Sequence, residues 1–290
     1  MIVNQIIMFR KCLVLLMLVA AGAGVSAQKT LWTTGNARTL AAAQQEFGIF
    51  HPFQIGISDK LELSFSPLAG LTLVPNVSFK YRYNEGPWII ATQHSYMMPS
   101  MLLHSIQDGL FSFIKSDFYN LSLSSIARIP YVFSFRNQVL VTRRIGLETL
   151  VTGKAGLAFS LKSKGTTLQA LTYPLIYLQS TTLNEKVVWY AGARIDGNMY
   201  KDFNYMAEVD FVSSGFDVAH WAVGHKGYFI WNKSIKFAAL IGYNMSYGTY
   251  PDPSYAIVTN RGRFFIFPIA DLIWKLNIKR VPEKDLFRVR

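Results

Sequence analysis

Apolar and polar residues alternate along most of this chain, most cleanly from Ile235 to Tyr247. Ile235, Phe237, Ala239, Ile241, Tyr243, Met245 and Tyr247 form one row, opposed by Lys236, Ala238, Leu240, Gly242, Asn244 and Ser246. A period of two is the signature of a β-strand, whose successive side chains point to opposite faces. The same alternation predicts strands over 60–66, 77–83, 131–141, 155–161, 171–177, 187–196 and 203–212, although Pro174 weakens the fifth of these. Less regular alternation marks 47–57, 88–96, 218–231 and 263–276. The total is about twelve strands. Several are longer than the five or six residues usual in globular sheets and suit a tilted bilayer crossing of about nine to eleven residues.

Two architectures bury such strands: a soluble sandwich with its apolar face inward, and a membrane barrel with its apolar face outward. Strand length favours the barrel, and so do aromatics beside the turns. Tyr83 and Trp88 bracket Asn84-Glu85-Gly86, Tyr200 and Phe203 bracket Lys201-Asp202, and Trp231 precedes Asn232-Lys233. Aromatic girdles of this kind mark the two membrane interfaces. The expected fold is therefore all-β: a transmembrane antiparallel up-and-down barrel of about 12 strands. Residues 97–114 break the pattern. Met98, Met101, Leu102, Ile106, Leu110 and Phe113 form a helical stripe, which predicts one short helix plugging or capping the barrel. That segment would follow the fourth strand, on the side where a short turn is expected, so it implies a plug there or a miscounted strand.

The ends add localisation. Arg10 and Lys11 precede an apolar run, Leu13–Gly24, and then Val25-Ser26-Ala27, which predicts a secretory signal cleaved after Ala27. The organisation read from sequence is a signal at 1–27, a barrel at 28–277 and a basic tail at 278–290. Cys12, the only cysteine, would leave with the signal, which removes disulfides and thiolate metal sites from consideration. The chain is 51% hydrophobic with a net charge of +12, but its lysines and arginines do not cluster before the tail, so nucleic acid is not an expected partner.

Several blocks together resemble an uncharacterised family of Gram-negative outer-membrane β-barrels, over about Thr34 to Leu276. They are T-G-N-A-R-T-L (Thr34–Leu40), G-I-F-H-P-F-Q-I-G-I-S-D-K-L-E-L (Gly48–Leu63), L-V-P-N-V-S-F-K (Leu73–Lys80), W-Y-A-G-A-R-I-D-G (Trp189–Gly197) and G-H-K-G-Y (Gly224–Tyr228). The resemblance implies an outer-membrane location, lipid contacts and handling by the barrel-assembly machinery, and no particular activity. Many such barrels end on an aromatic read by that machinery; here a basic tail follows instead.

Chemistry is sparse. His220 and His225 fall on opposite faces of a strand, and His51, His94 and His104 belong to no metal motif. No metalloprotease, phosphate-loop or nucleophile-elbow motif is present, and nothing calls for a cofactor. Charges predicted to face the lumen carry the functional reading: Lys80, Arg82, Arg136, Lys162, Arg194, Glu208, Asp210 and Lys236, with Glu62, Asp196, Asp271 and Lys275. They would either neutralise one another, with Arg194 and Glu208 lying diagonally across a hairpin, or form a basic constriction favouring anions. The leading expectation is a narrow passive channel for small anionic solutes. The alternatives are a lipid-modifying hydrolase with a Ser-His pair on the outer face, and a plugged structural or assembly barrel whose tail docks a partner.

Overall fold

The computed structural model describes residues 32–71, 74–98, 100–101, 104, 131–145, 149–162, 187–200, 202–214, 221–234, 236–250 and 261–277. Twelve strands run in chain order: β1 (Gln45–Phe47), β2 (Phe53–Gly56), β3 (Leu61–Phe65), β4 (Asn76–Arg82), β5 (Trp88–Met97), β6 (Val132–Ile145), β7 (Thr149–Lys162), β8 (Val187–Tyr200), β9 (Phe203–Ser214), β10 (Trp221–Ser234), β11 (Phe237–Tyr250) and β12 (Arg261–Leu276). Each pairs antiparallel with its sequence neighbours, and β12 pairs with β1, so the sheet closes into a barrel. Closure leaves no free sheet edge except where neighbouring strands differ in length. A five-residue helix, α1 (Pro67–Leu71), links β3 to β4. Of the helical stripe expected over 97–114, Met97 closes β5 and Ser100, Met101 and His104 are helical; most of the rest lies outside the described residues.

Two differences from the sequence reading explain each other. The single strand expected at 47–57 is a pair, β1 and β2, because Gly48 to Pro52 turns the chain back. The strand expected at 171–177 lies outside the described residues, and β7 pairs directly with β8 without it. The connection at 98–131 thus follows the fifth strand, which resolves the parity conflict. Connections at 57–60, 83–87, 146–148, 201–202 and 235–236 share one end of the barrel with the start of β1 and the end of β12. The longer ones, at 98–131, 163–186 and 251–260, emerge at the other end.

Alternation decides which way each residue faces. Val139, Leu157, Val209, Ile241 and Ile266 stand exposed around the middle of the outer wall. Aromatics flank this aliphatic band on both sides. At the terminal end Tyr83, Trp88, Tyr200, Phe203, Trp231 and Trp274 are exposed, with Phe203 stacked on Trp231 at 6.1 Å. Toward the other end Trp189, Phe211, Trp221 and Tyr247 form a chain of ring contacts at 5.4, 6.4 and 5.8 Å. From Phe203 to Phe211 along β9 the tilted rise is roughly 20 Å.

The wall is uneven. Strands β6, β7, β8, β10 and β11 have 14 residues, whereas β1, β2 and β3 have 3, 4 and 5. Only the last three residues of β12, Trp274, Lys275 and Leu276, pair with β1.

Candidate functional site: a segment buried inside the barrel

Before entering β1 the chain runs inside the barrel. Trp32, Thr33, Asn36, Ala37 and Leu40 are buried although none belongs to the wall. No regular ladder satisfies their backbone groups, so lumen side chains do. Ala37 N–H donates to Thr142 Oγ1 (2.8 Å), Leu40 N–H to Glu62 Oε2 (2.9 Å), and Lys80 Nζ donates to the Thr33 carbonyl (2.7 Å). The Thr34 hydroxyl reaches Gln54 Oε1 at 2.8 Å. Asn36 folds the segment on itself, donating to the Trp32 carbonyl and accepting from Arg38 N–H. Gly35 has φ of 77°, and a Cβ there would strike the Arg194 guanidinium; only glycine fits both conditions. Trp32 is packed with Met206, Ile230, Ala238, Leu240, Ile269 and Ile273 on the inner face of β9–β12. Burial pushes the Arg38 guanidinium down to about 10, and Arg144 and Arg82 add to the effect.

Around this segment the lumen charges fall into two groups. In the first, Glu208 is central. It meets Lys226 Nζ at 2.8 Å, Lys154 Nζ at 3.0 Å and Arg194 Nη1 at 3.5 Å. Lys154 also reaches Asp210 (2.6 Å), and Arg194 holds Asp196 through two nitrogens (2.8 and 2.6 Å). Three cations thus face three carboxylates. Gly192 lies between Lys154 and Asp210 in the strand register, and a side chain there would occupy the space of their ion pair. In the second group Glu62 pairs with Lys80 (2.9 Å) and accepts from Gln54. Glu46 lies 3.7 Å from His51 and 3.8 Å from Lys275. The Asp271 carboxylate instead accepts the amides of Ile49, Phe50 and His51 at 2.9, 2.9 and 2.6 Å, fixing the β1–β2 turn.

Most charges assigned to the lumen from sequence are buried there: Glu62, Lys80, Arg194, Asp196, Glu208, Asp210, Asp271 and Lys275. Arg194 and Glu208 are direct cross-strand partners and not diagonal ones. Lys236 is a correction. The face it was assigned to does point inward, through Ala238 and Leu240, but β11 begins at Phe237 and leaves Lys236 exposed in the hairpin turn. Arg82 sits at the terminal-end rim, bound to Glu85 (2.6 Å) and the Asp59 carbonyl (2.7 Å). Arg136 lies with its guanidinium 4.0 Å over the Tyr190 ring, and among the described residues no carboxylate pairs with it. Lys162 ends β7 and its side chain lies outside the described residues, as do His220, residues 1–27, where a signal is expected, and residues 278–290, where a basic tail is expected.

Sequence reasoning missed Lys154, Lys226, Glu46 and the entire 32–40 segment. Lys154 was legible, since it extends the Gly156, Ser160 face of β7 back by one step. Lys226 was masked by Gly224 and Gly227, which blur the alternation of β10. The described histidines meet Trp32 and Glu46 (His51), Asn137 (His94), Tyr131 (His104) and Tyr243 (His225). None of these contacts of the described histidines is with a serine. No protein-family model matches the chain, and no curated protein sequence matches it.

Proposed function

We propose that this is an exported outer-membrane β-barrel held shut by its own N-terminal segment, working as a plugged barrel and not as a standing pore. The observation that carries the reading is the segment from Trp32 to Leu40, seated among Thr142, Glu62, Lys80 and Arg194 in the lumen. The membrane location is supported by the aliphatic band between two aromatic rings roughly 20 Å apart, close to the apolar layer of about 25 Å in such barrels, and by short turns sharing one end with both barrel termini. Outer-membrane lipids and the barrel-assembly machinery are then its partners, consistent with the resemblance noted above.

The passive anion channel remains as a second reading, favoured by Arg136. Lys80 and Arg82 are committed to Glu62 and Glu85, so Arg136 alone among the three expected basic residues would meet a solute. Conduction would require the first segment to leave the lumen.

Planar-bilayer recordings compare the refolded chain with a variant lacking residues 28–40. The expected result is a silent full-length protein and stable conductance steps in the shortened one. Large steady conductance from the full-length chain would overturn the plug; Arg136→Ala reducing anion selectivity in the shortened form would support the second reading.

A further inference from the structure

The barrel wall has a notch. From β5 down to β1 the strands shorten step by step, and β12, paired along its length with β11, is paired on its other side with β1 at only three of its sixteen residues. Among the described residues nothing pairs with the free side of β12 above Trp274. A strand of five residues, like β3, spans about 17 Å before tilt and cannot cross an apolar layer of about 25 Å. Among the described residues the gap therefore opens above the terminal-end aromatic ring, level with the aliphatic band.

Two observations say what faces it. The first is Pro268, the sole proline within the twelve strands, placed on the strand with the free edge. Proline cannot donate to a ladder and occurs in sheets essentially at edges, where it discourages another strand from pairing. The sequence thus treats this edge as one that stays open. The second is the lining. Outside, Ile49, Leu272 and Ile266 are exposed beside the notch; inside, Phe50 and Phe267 approach at 6.4 Å as its floor. The described residues bordering the gap on its β12 and hairpin sides are mostly apolar, with Asn244 the inward neighbour of Phe267, and Asp271 at its base spends both oxygens on backbone amides.

We infer that the gap between β12 and the β1–β2 hairpin is a lateral aperture that admits the acyl chain of a membrane amphiphile into the lumen above the plug. A peptide strand is disfavoured by Pro268, and a free hydrophilic solute by the lining. The inference rests on the proposed membrane location and gives the closed barrel a ligand class: lipids or lipid-like molecules that enter from the side, since the terminal end is blocked.

The test refolds the full chain into phosphatidylcholine vesicles carrying a photoactivatable diazirine midway along one acyl chain, with labelled residues found by peptide mass spectrometry. The expected result is labelling of the outer Leu157 and Ile241 together with the inner Phe50 or Phe267. Phe267→Arg should abolish the inner label and leave the outer one. Outer labelling without inner labelling would overturn the aperture while leaving the membrane reading intact. No labelling at all would overturn both. Equal labelling of Ala158, inward-facing on the opposite wall, would mean that chains enter through a disordered barrel and would also overturn it.

Discussion

Glu208 shows how a single residue can organise a lumen. Its carboxylate is buried and faced by Lys154, Lys226 and Arg194, an arrangement in which each charge offsets the desolvation of its neighbours. Removing one partner strands the others. Glu208→Gln is expected to lower stability by about 3–5 kcal/mol in urea unfolding. Lys226→Met, at a site one-third exposed, should cost under about 1 kcal/mol. Gly35→Val tests the plug at the same scale: positive φ and the Arg194 guanidinium both reject a branched side chain, at a cost of about 1–3 kcal/mol. That strain should drive the segment out, read as conductance in a chain that is otherwise folded. Arg38 has the opposite sign. A cation whose folded pKa lies below its unfolded value weakens the fold wherever it is charged, here below about pH 10, and the penalty fades as pH rises through that value. Arg38→Gln should therefore leave thermal stability at pH 7 equal or higher.

At the scale of elements, strand length and strand pairing carry different information. Alternation marked β8 and β9 closely because their inward faces, such as Tyr190, Arg194 and Asp196 or Glu208 and Asp210, contrast with apolar outward faces. It failed at 47–57, where Gly48 and Pro52 end two short strands that period two cannot distinguish from one longer strand. The first segment escaped for a related reason. Its backbone is satisfied by side chains more than a hundred positions away in one case, Ala37 to Thr142, and such pairing leaves no local periodicity. Within β12, Pro268 is expected to act against edge-to-edge association. Pro268→Thr restores a backbone donor and should increase dimers or larger oligomers, measured by light scattering in detergent.

For the whole molecule, the two faces of the wall obey opposite rules. The outer face is apolar and exposed, and the inner one carries buried charges beside apolar clusters. In the proposed membrane setting an arginine at outward Leu157 should cost about 2–4 kcal/mol at mid-bilayer, whereas a soluble barrel would gain solubility from the same change. Folding Leu157→Arg into vesicles and comparing it with wild type therefore discriminates the two settings. The wall also explains how this chain is stable without a large apolar interior. Every strand has a neighbour on both sides along most of its length, and the exception at β12 is where the lateral aperture is proposed.

By itself the amino-acid sequence determined the all-β class, the strand number to within its uncertainty, the facing of most residues and the charged character of the inner wall. These follow from a period-two geometry that acts between neighbours in the chain. Only the tertiary structure decided that β1 and β2 are separate, that Lys236 lies in a turn, that Lys154 and Lys226 complete the ion-pair cluster, and that residues 32–40 lie buried inside the barrel. Each depends on register between strands or on contacts between distant parts of the chain. Closure of the barrel sets these, and no local pattern encodes them.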